Sequence, residues 1–403
     1  MLRYGDKVLG LSEVISGITD SRKRPRILTR RVMASSLVMM LARLGSLHAM
    51  EKTKPSSFWK RWIGYQLPSA DSIARIVSVV DPAPLRIGIR QLYTRLKRNK
   101  AIAAPWQGLI PLIVDGHESH ATYLRHCDGC LDRIIHTGQG DKIQYYHRHV
   151  TAILIGKDSS LLLDAEAQRK GEDEIACAIR LIRRMIKHYP RAFDVVLGDA
   201  LYTDPRFYQC VTNYGKDVLT VLKDERRDLI RDAQSLFSTM NPQTFSLHKT
   251  QYECWDIEGL TSWPQFKKSP VRVIASRETT TVHRQLNGKD EEKVSSWMWV
   301  TTLSKNKANT RTAVQMGHSR WEIENDGFNE TSTYWHADHL YRHDPVALLN
   351  FWLITMMAYN LFHAFFNRNI KSVFRKTLNY LHLARMILSE LYQGISLPVI
   401  NSS

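Results

Sequence analysis

Two stretches decide the fold of this chain: Leu109–Ser119, LIPLIVDGHES, and Phe193–Asp204, FDVVLGDALYTD. Each is an apolar run of strand length that reaches an aspartate beside a glycine. A short continuous apolar run bounded by turn residues reads as a strand covered on both faces. Asp115 and Asp199 would then stand at two strand ends. A third acid, Glu324, lies in His318–Glu330, HSRWEIENDGFNE, inside a helical pattern. A single strand-end aspartate is usually a cap or a turn residue. Three acids in this order, on these element types, match what a two-metal phosphodiester site needs. Divalent ions there want hard oxygen ligands and sit about 3.5–4 Å apart, where they hold the attacking and leaving oxygens.

Working outward, Tyr145–Ile155 and Ser160–Asp164 read as further strands and Glu172–His188 as an amphipathic helix. Asp204 can cap a short helix, and Asp217–Leu222 is a fifth strand. A meander of strands followed by strand–helix alternation predicts an α/β fold with a mixed sheet and helices on its faces. From Lys223 the pattern turns to short β-like runs such as SPVRVIAS, then to a strand at Trp297–Leu303 and a helix over Thr310–Thr331. Two more helices follow, the apolar Val346–Phe366 and Ser372–Tyr392. Ahead of the sheet, Arg26–Met50, a segment capped by Ser69 or Asp71, and Pro84–Lys100 read as helices. They suit a helix-turn-helix-like reader of DNA or a plain scaffold. The expected divisions are 1–104 (helical, basic, DNA-binding), 105–222 (first part of the core), 223–296 (β-rich insertion) and 297–403 (second part of the core).

The 403 residues carry a net charge of +17. Residues 1–100 hold twenty Lys/Arg against six Asp/Glu, most of that excess. Such asymmetry points to a polyanionic partner, nucleic acid before an anionic membrane. Five cysteines are too few and too scattered for a disulfide framework, which suits a reducing cytoplasm, and the opening residues lack a secretory pattern. Val346–Phe366 has the length of a membrane span, but Asn350, Asn360 and His363 within it favour a core helix, so no membrane partner is expected.

On these residues the chain resembles the DDE transposases of bacterial insertion sequences, in the insertion-sequence-four-type branch with a Y-x2-R-x3-E-x6-K signature. Here the signature positions are Gly317, Arg320, Glu324 and Thr331, so Arg and Glu match while Tyr and Lys do not. SRWEIEN and the later HDPVALLNFWLITMMAYNLF extend the likeness, which covers roughly 105–366. The resemblance implies a ribonuclease-H-like catalytic core interrupted by a β-rich insertion between the second Asp and the Glu. It implies Asp115, Asp199 and Glu324 as catalytic metal ligands, Mg2+ as cofactor with Mn2+ as substitute, and cleavage of double-stranded DNA at transposon ends with strand transfer to target DNA by a homodimer. Arg320, one turn before Glu324, would contact DNA phosphate, with His318 or Lys305 as stand-ins for the missing grip. Trp297 would stack on a base flipped from the terminal duplex; an ordinary sheet aromatic is the competing reading. A transposase-derived DNA-binding protein that no longer cuts, and a metal-dependent nuclease without strand transfer, remain as alternatives.

A second constellation, Cys127-x2-Cys130 followed by His136 and His147, offers a Zn2+ site; two reduced cysteines in a hairpin is the plainer reading. His336, His339 and His343 would share a face if their segment is helical, and read as a DNA-phosphate contact or a satisfied polar face rather than a metal site. Glu118, Glu322 and Asp326 are neighbours of the site acids that point elsewhere.

Overall fold

The computed structural model describes residues 1–223, 227–266, 270–284, 289–323 and 329–395. Among these residues ten strands form one mixed sheet. They are β1 (Pro111–Thr122), β2 (Leu131–Thr137), β3 (Gly140–Ile155), β4 (Ser160–Ala167), β5 (Val195–Gly198), β6 (Asp217–Val221), β7 (Gln243–Leu247), β8 (Thr250–Leu260), β9 (Val271–Arg284) and β10 (Lys289–Thr301). The order is β2-β3-β1-β5-β6-β10-β9-β8-β7, with β4 pairing the second half of β3. The β1–β5 and β5–β6 pairs are parallel and the rest antiparallel. Leu112, Ile113 and Val114 are fully buried, as are Val195, Val196 and Leu197. These central strands are covered on both faces, which is why they read as unbroken apolar runs.

Asp115 is not at a strand end as expected. β1 continues to Thr122 because its antiparallel partner β3 supplies hydrogen bonds as far as Thr122 with Tyr145, well after β5 has stopped. The β-rich segment also differs from an appended module. It begins with a helix, and its strands extend the central sheet through the β10–β6 pair, Trp299 with Val221.

The helices are α1 (Leu2–Leu9), α2 (Leu11–Ser16), α3 (Thr29–Leu41), α4 (Leu47–Glu51), α5 (Ala70–Val77), α6 (Pro82–Arg98), α7 (Glu174–His188), α8 (Pro205–Thr212), α9 (Arg227–Phe237), α10 (Thr310–Ile323), α11 (Asn329–Trp335), α12 (Pro345–Asn369), α13 (Ser372–Arg375) and α14 (Tyr380–Leu391). Ser69 and Asp204 cap α5 and α8. The continuous helix expected over Arg26–Met50 is broken where Arg43 turns left-handed, φ 54°. That turn lays the Arg43 guanidinium over the Trp335 ring and 3.4 Å from Glu330. The helix expected at Ser372–Tyr392 is likewise split, with Asn379 capping α14.

The apolar helix α12 is the axis of the helical part and packs on α3, α6 and β4. It is long and apolar enough to cross a membrane, yet 78% of its apolar window is buried in the protein. Several of its polar groups find partners there: the Asn350 amide N–H donates to the carbonyls of Val77 and Val80, Asn360 bonds both backbone groups of Leu162, and Trp352 donates to Thr151. Buried polar groups paired this way mark a core helix. The N-terminal helices and the sheet therefore share one apolar core.

Candidate active site

The parallel register carries the chain to the two aspartates at one end of the paired strands. Ile113 pairs with Leu197. Asp115 follows Ile113 by two residues within β1, and Asp199 follows Leu197 by two residues, just past the end of β5; the charges of both act on the Tyr202 hydroxyl. Asp199 lies just past β5, where its Oδ1 accepts from the Leu201 N–H at 2.8 Å and caps the turn Ala200–Tyr202. Asp115 Oδ1 accepts from the Gly116 N–H at 2.9 Å, and its Oδ2 lies 3.9 Å from Arg320 Nη1. The Arg320 side chain is only 7% exposed, so α10 delivers a positive charge into the protein beside the first aspartate.

Two glycines make this close approach work. A Cβ on Gly198 would lie 2.7 Å from the Tyr202 Cβ, so the chain can fold back after Asp199 only without one. A Cβ on Gly116 would lie 2.4 Å from Glu174 Oε1. Glu174, in the first turn of α7, thereby reaches the site; it accepts from the Tyr202 hydroxyl at 2.8 Å and pairs with Arg148 at 3.2 Å. Burial pushes the Glu174 carboxyl above its usual range, with Asp199 adding to the shift and Tyr202 and Arg148 opposing it. Burial, then the charges of Glu174, Asp115 and Asp199, keeps Tyr202 protonated and hence a donor. Sequence reasoning missed Glu174. The glycine directly after Asp115 was the available signal.

The third acid, Glu324, lies outside the described residues, as does Asp326. The described part of α10 ends at Ile323, the residue before Glu324. Glu118 is held by Arg133 at 2.6 Å and Arg148 at 3.1 Å. The start of α10 is fastened to the added strands by a buried ion pair: Arg272 of β9 bonds Asp256 of β8 at 2.6 Å, and Thr310 donates to Asp256 at 2.7 Å.

Positions 317 and 331, where the expected Tyr and Lys are missing, are both packed inside the fold. Gly317 stands where the signature has Tyr, and the space is filled by the buried Trp299, whose Nε1 would lie 2.5 Å from a Cβ on Gly317. Thr331, at the Lys position, is 1% exposed and leaves no room for a solvated ammonium. Neither suggested stand-in is loose: His318 bonds Glu278 at 2.7 Å and Lys305 bonds the Asp256 carbonyl at 2.8 Å. Trp297 and Trp299 share a face, stacked at 6.2 Å. Trp297 is the more exposed of the two, and with Trp255, Phe237 and Lys223 it lines a groove of about 760 Å³.

A second cluster forms at the far end of β1 and β3. Cys127, Cys130, His147 and His343 bring their donor atoms within 4.8 Å of one another. Burial first, and His343 next, holds His147 down at about 4, leaving a neutral imidazole. His136 is not part of this cluster. It sits at the tip of the β2–β3 hairpin, five residues or about 17 Å along β2 from Leu131, where it is exposed and pairs with Asp141 at 2.6 Å. His336, His339 and His343 do not share a helical face, because α11 ends at Trp335 and His336 turns left-handed, φ 53°. His336 instead meets the Arg43 carbonyl, and His339 packs on Tyr341.

No curated protein matches this chain. A family model described as Transposase DDE domain matches residues 107–361, from just ahead of β1 well into α12. That span is more than half of the chain and takes in both aspartates, Arg320 and the Glu324 position. The chain belongs to the DDE-domain transposase family.

Proposed function

We propose that the protein is a cut-and-paste transposase that cleaves DNA at transposon ends and transfers the freed strands to target DNA, with Asp115, Asp199 and Glu324 as its catalytic acids. The observation that supports this reading is the parallel β1–β5 register, which carries the chain to Asp115 and, just past β5, to Asp199 at one end of the paired strands, with Arg320 of α10 beside Asp115. The order β4-β3-β1-β5-β6, an antiparallel meander continued by two parallel strands, supports a ribonuclease-H-like core.

The donor set is carboxylate oxygen, which suits Mg2+, with Mn2+ as substitute. Bound there, such ions lower the pKa of a water or a 3′-hydroxyl and offset charge building on phosphorus. The chain's own residues supply placement. Asp199 is held by the turn it caps, and Asp115 by β1. The guanidinium of Arg320 stands beside Asp115 and presents a positive charge to a DNA phosphate entering there. Trp297 offers an aromatic face at the groove for an extruded base. The basic N-terminal helices supply the phosphate grip, and a homodimer joins the two ends in the cytoplasm.

The test is cleavage of duplex DNA carrying the element's own ends with Mg2+, comparing wild type with Glu324→Gln. Nicking that the substitution abolishes while end binding survives supports the reading. End binding by wild type without cleavage, in Mg2+ and in Mn2+, overturns it in favour of a DNA-binding relic. Cleavage without joining of precleaved ends to target reduces it to a nuclease.

A further inference from the structure

We propose that Cys127, Cys130, His147 and His343 bind one zinc ion, which clasps the loop between β1 and β2 to the segment leading into α12. The geometry comes first. The Cys127 and Cys130 sulfurs are 3.7 Å apart. His147 Nε2 lies 3.4 Å from the Cys127 sulfur and 3.3 Å from that of Cys130, and His343 Nε2 lies 3.3 Å from Cys130. A tetrahedral ion with Zn–S of about 2.3 Å and Zn–N of about 2.0–2.1 Å has S···S edges of about 3.8 Å and S···N edges of about 3.6 Å. Those four edges of the cluster match within about 0.3 Å, and the other two, from His343 to Cys127 and to His147, are within 4.8 Å. The sulfurs are too far apart for a disulfide, whose bond is about 2.05 Å.

The backbone around the cluster suits the same role. The Cys127 N–H points at the Cys130 sulfur at 3.3 Å, and the Cys130 N–H closes the turn on the Cys127 carbonyl at 3.0 Å. Gly129 allows the turn to press on the first turn of α12, since a Cβ there would lie 2.7 Å from Pro345 Cβ. Two thiolates and two neutral imidazoles cancel the charge of a divalent zinc ion and select it over magnesium, which prefers oxygen. Four protein donors close the coordination sphere, so this is a structural centre, separate in chemistry from the carboxylates.

Its location gives the centre a purpose. His343 stands two residues before α12, at the end of the stretch that carries α11. On the other side, Cys127 and Cys130 lie in the loop that follows β1, the strand of Asp115. One ion would therefore tie the polypeptide after α10 to the strand that bears the first aspartate. The contact spans 213 residues of sequence between Cys130 and His343, and closing so long a loop is where a cross-link constrains the unfolded chain most.

The test is metal analysis of full-length protein purified without chelators, with Co2+ replacement read by visible absorption. The expected result is about one zinc per chain and thiolate-to-cobalt bands of a tetrahedral site. Cys130→Ser and His343→Ala should lose the metal, whereas His136→Ala keeps it. His343→Cys, which preserves four donors, should retain zinc even if the alanine variant folds poorly. Wild type without zinc that also fails to take up cobalt overturns the proposal, as does full zinc occupancy in a folded His343→Ala variant. Neither readout depends on DNA cleavage, so the result stands apart from the transposase reading.

Discussion

Replacing Gly317 by alanine tests the packing of α10 through the sign of a stability change. In an ordinary helix interior, glycine to alanine stabilises by about 1 kcal/mol, because glycine loses more backbone entropy on folding. Here the new Cβ would meet Trp299 at 2.5 Å from Nε1 and 2.6 Å from Cε2, against an ordinary contact of about 3.5–4.0 Å. One of the two must retreat by about 1 Å. Trp299 has little freedom to do so. It is 1% exposed, it lies in register with Val221 and Ile274, and its ring stacks on Trp297. Overpacking at such a site costs about 1–3 kcal/mol, so the upper part of that range should outweigh the helix gain and leave a net loss of about 1–2 kcal/mol. For a chain of 403 residues the melting temperature should fall by about 1–2 °C.

If α10 moves instead, Arg320 moves with it, three residues on and 3.9 Å from Asp115. A displacement of about 1 Å can cost about 10²-fold in rate, so cleavage should fall more than stability alone explains. The companion variant, Trp299→Ala with Gly317→Tyr, restores the signature tyrosine and vacates its space. It should melt higher than Gly317→Tyr alone, a coupling that thermal melts of the four-member cycle measure directly. A Gly317→Ala protein that melts higher than wild type and cleaves normally would refute the reasoning.

Other substitutions separate roles that coincide in one side chain. Asp199→Asn keeps a good capping oxygen for the Leu201 N–H while removing the charge, so it should melt like wild type yet fail to cleave; Asp199→Ala should lose about 1 kcal/mol of capping as well, read by the same melt. Trp297→Ala should leave folding and end binding intact and slow cleavage, since stacking on an extruded base is worth about 1–3 kcal/mol; wild-type cleavage rates in single-turnover assays would remove its role. For Glu174, burial raises the carboxyl from its ordinary 4.5, so the folded chain holds that proton more tightly than the unfolded chain. Its contribution to stability is then full below about pH 4.5 and lost as pH rises through the raised value. Glu174→Gln lacks this loss, and its melting temperature relative to wild type should climb between pH 4 and pH 7 without added divalent ions.

What could be read from the sequence follows how local each signal is. β1 and β5 were legible because burial on both faces leaves an unbroken apolar run. The two aspartates were legible because a charge stands out where such a run stops. The length of β1 beyond Asp115 was not, because it depends on a partner strand whose register no local pattern encodes. β2 was missed for a related reason: the half-exposed hairpin alternates weakly, with Ile134 61% exposed and only Leu131 buried along its length. The fourth ligand of the cysteine cluster, His343, is brought in by tertiary contact. Reading His336, His339 and His343 as one helical face failed because the helix stops at Trp335, where His336 adopts a positive φ that periodicity does not register.

Packing supports α10 from the sheet side, where Trp299 is buried against Gly317. Trp299 braces the helix from β10, and Gly317 yields the room. The chain on either side of the Glu324 position is anchored independently. Ahead of it, Thr310 is bound to the buried Asp256–Arg272 pair. Behind it, Glu330 is held by Arg43 and His363, Asp338 by His117 of β1, and His343 by the cysteine loop. Each clamp reaches a different part of the fold: the added strands, the N-terminal helices with α12, the strand of Asp115, and the loop that follows it. Carboxylates that must share metal ions tolerate little drift, and positioning on braced helices and strands meets that need better than loops do. On this arrangement, weakening a distant clamp such as His117–Asp338 should lower cleavage by loosening the helix side of the site, while leaving the β1–β5 register that leads to Asp115 and Asp199 unchanged.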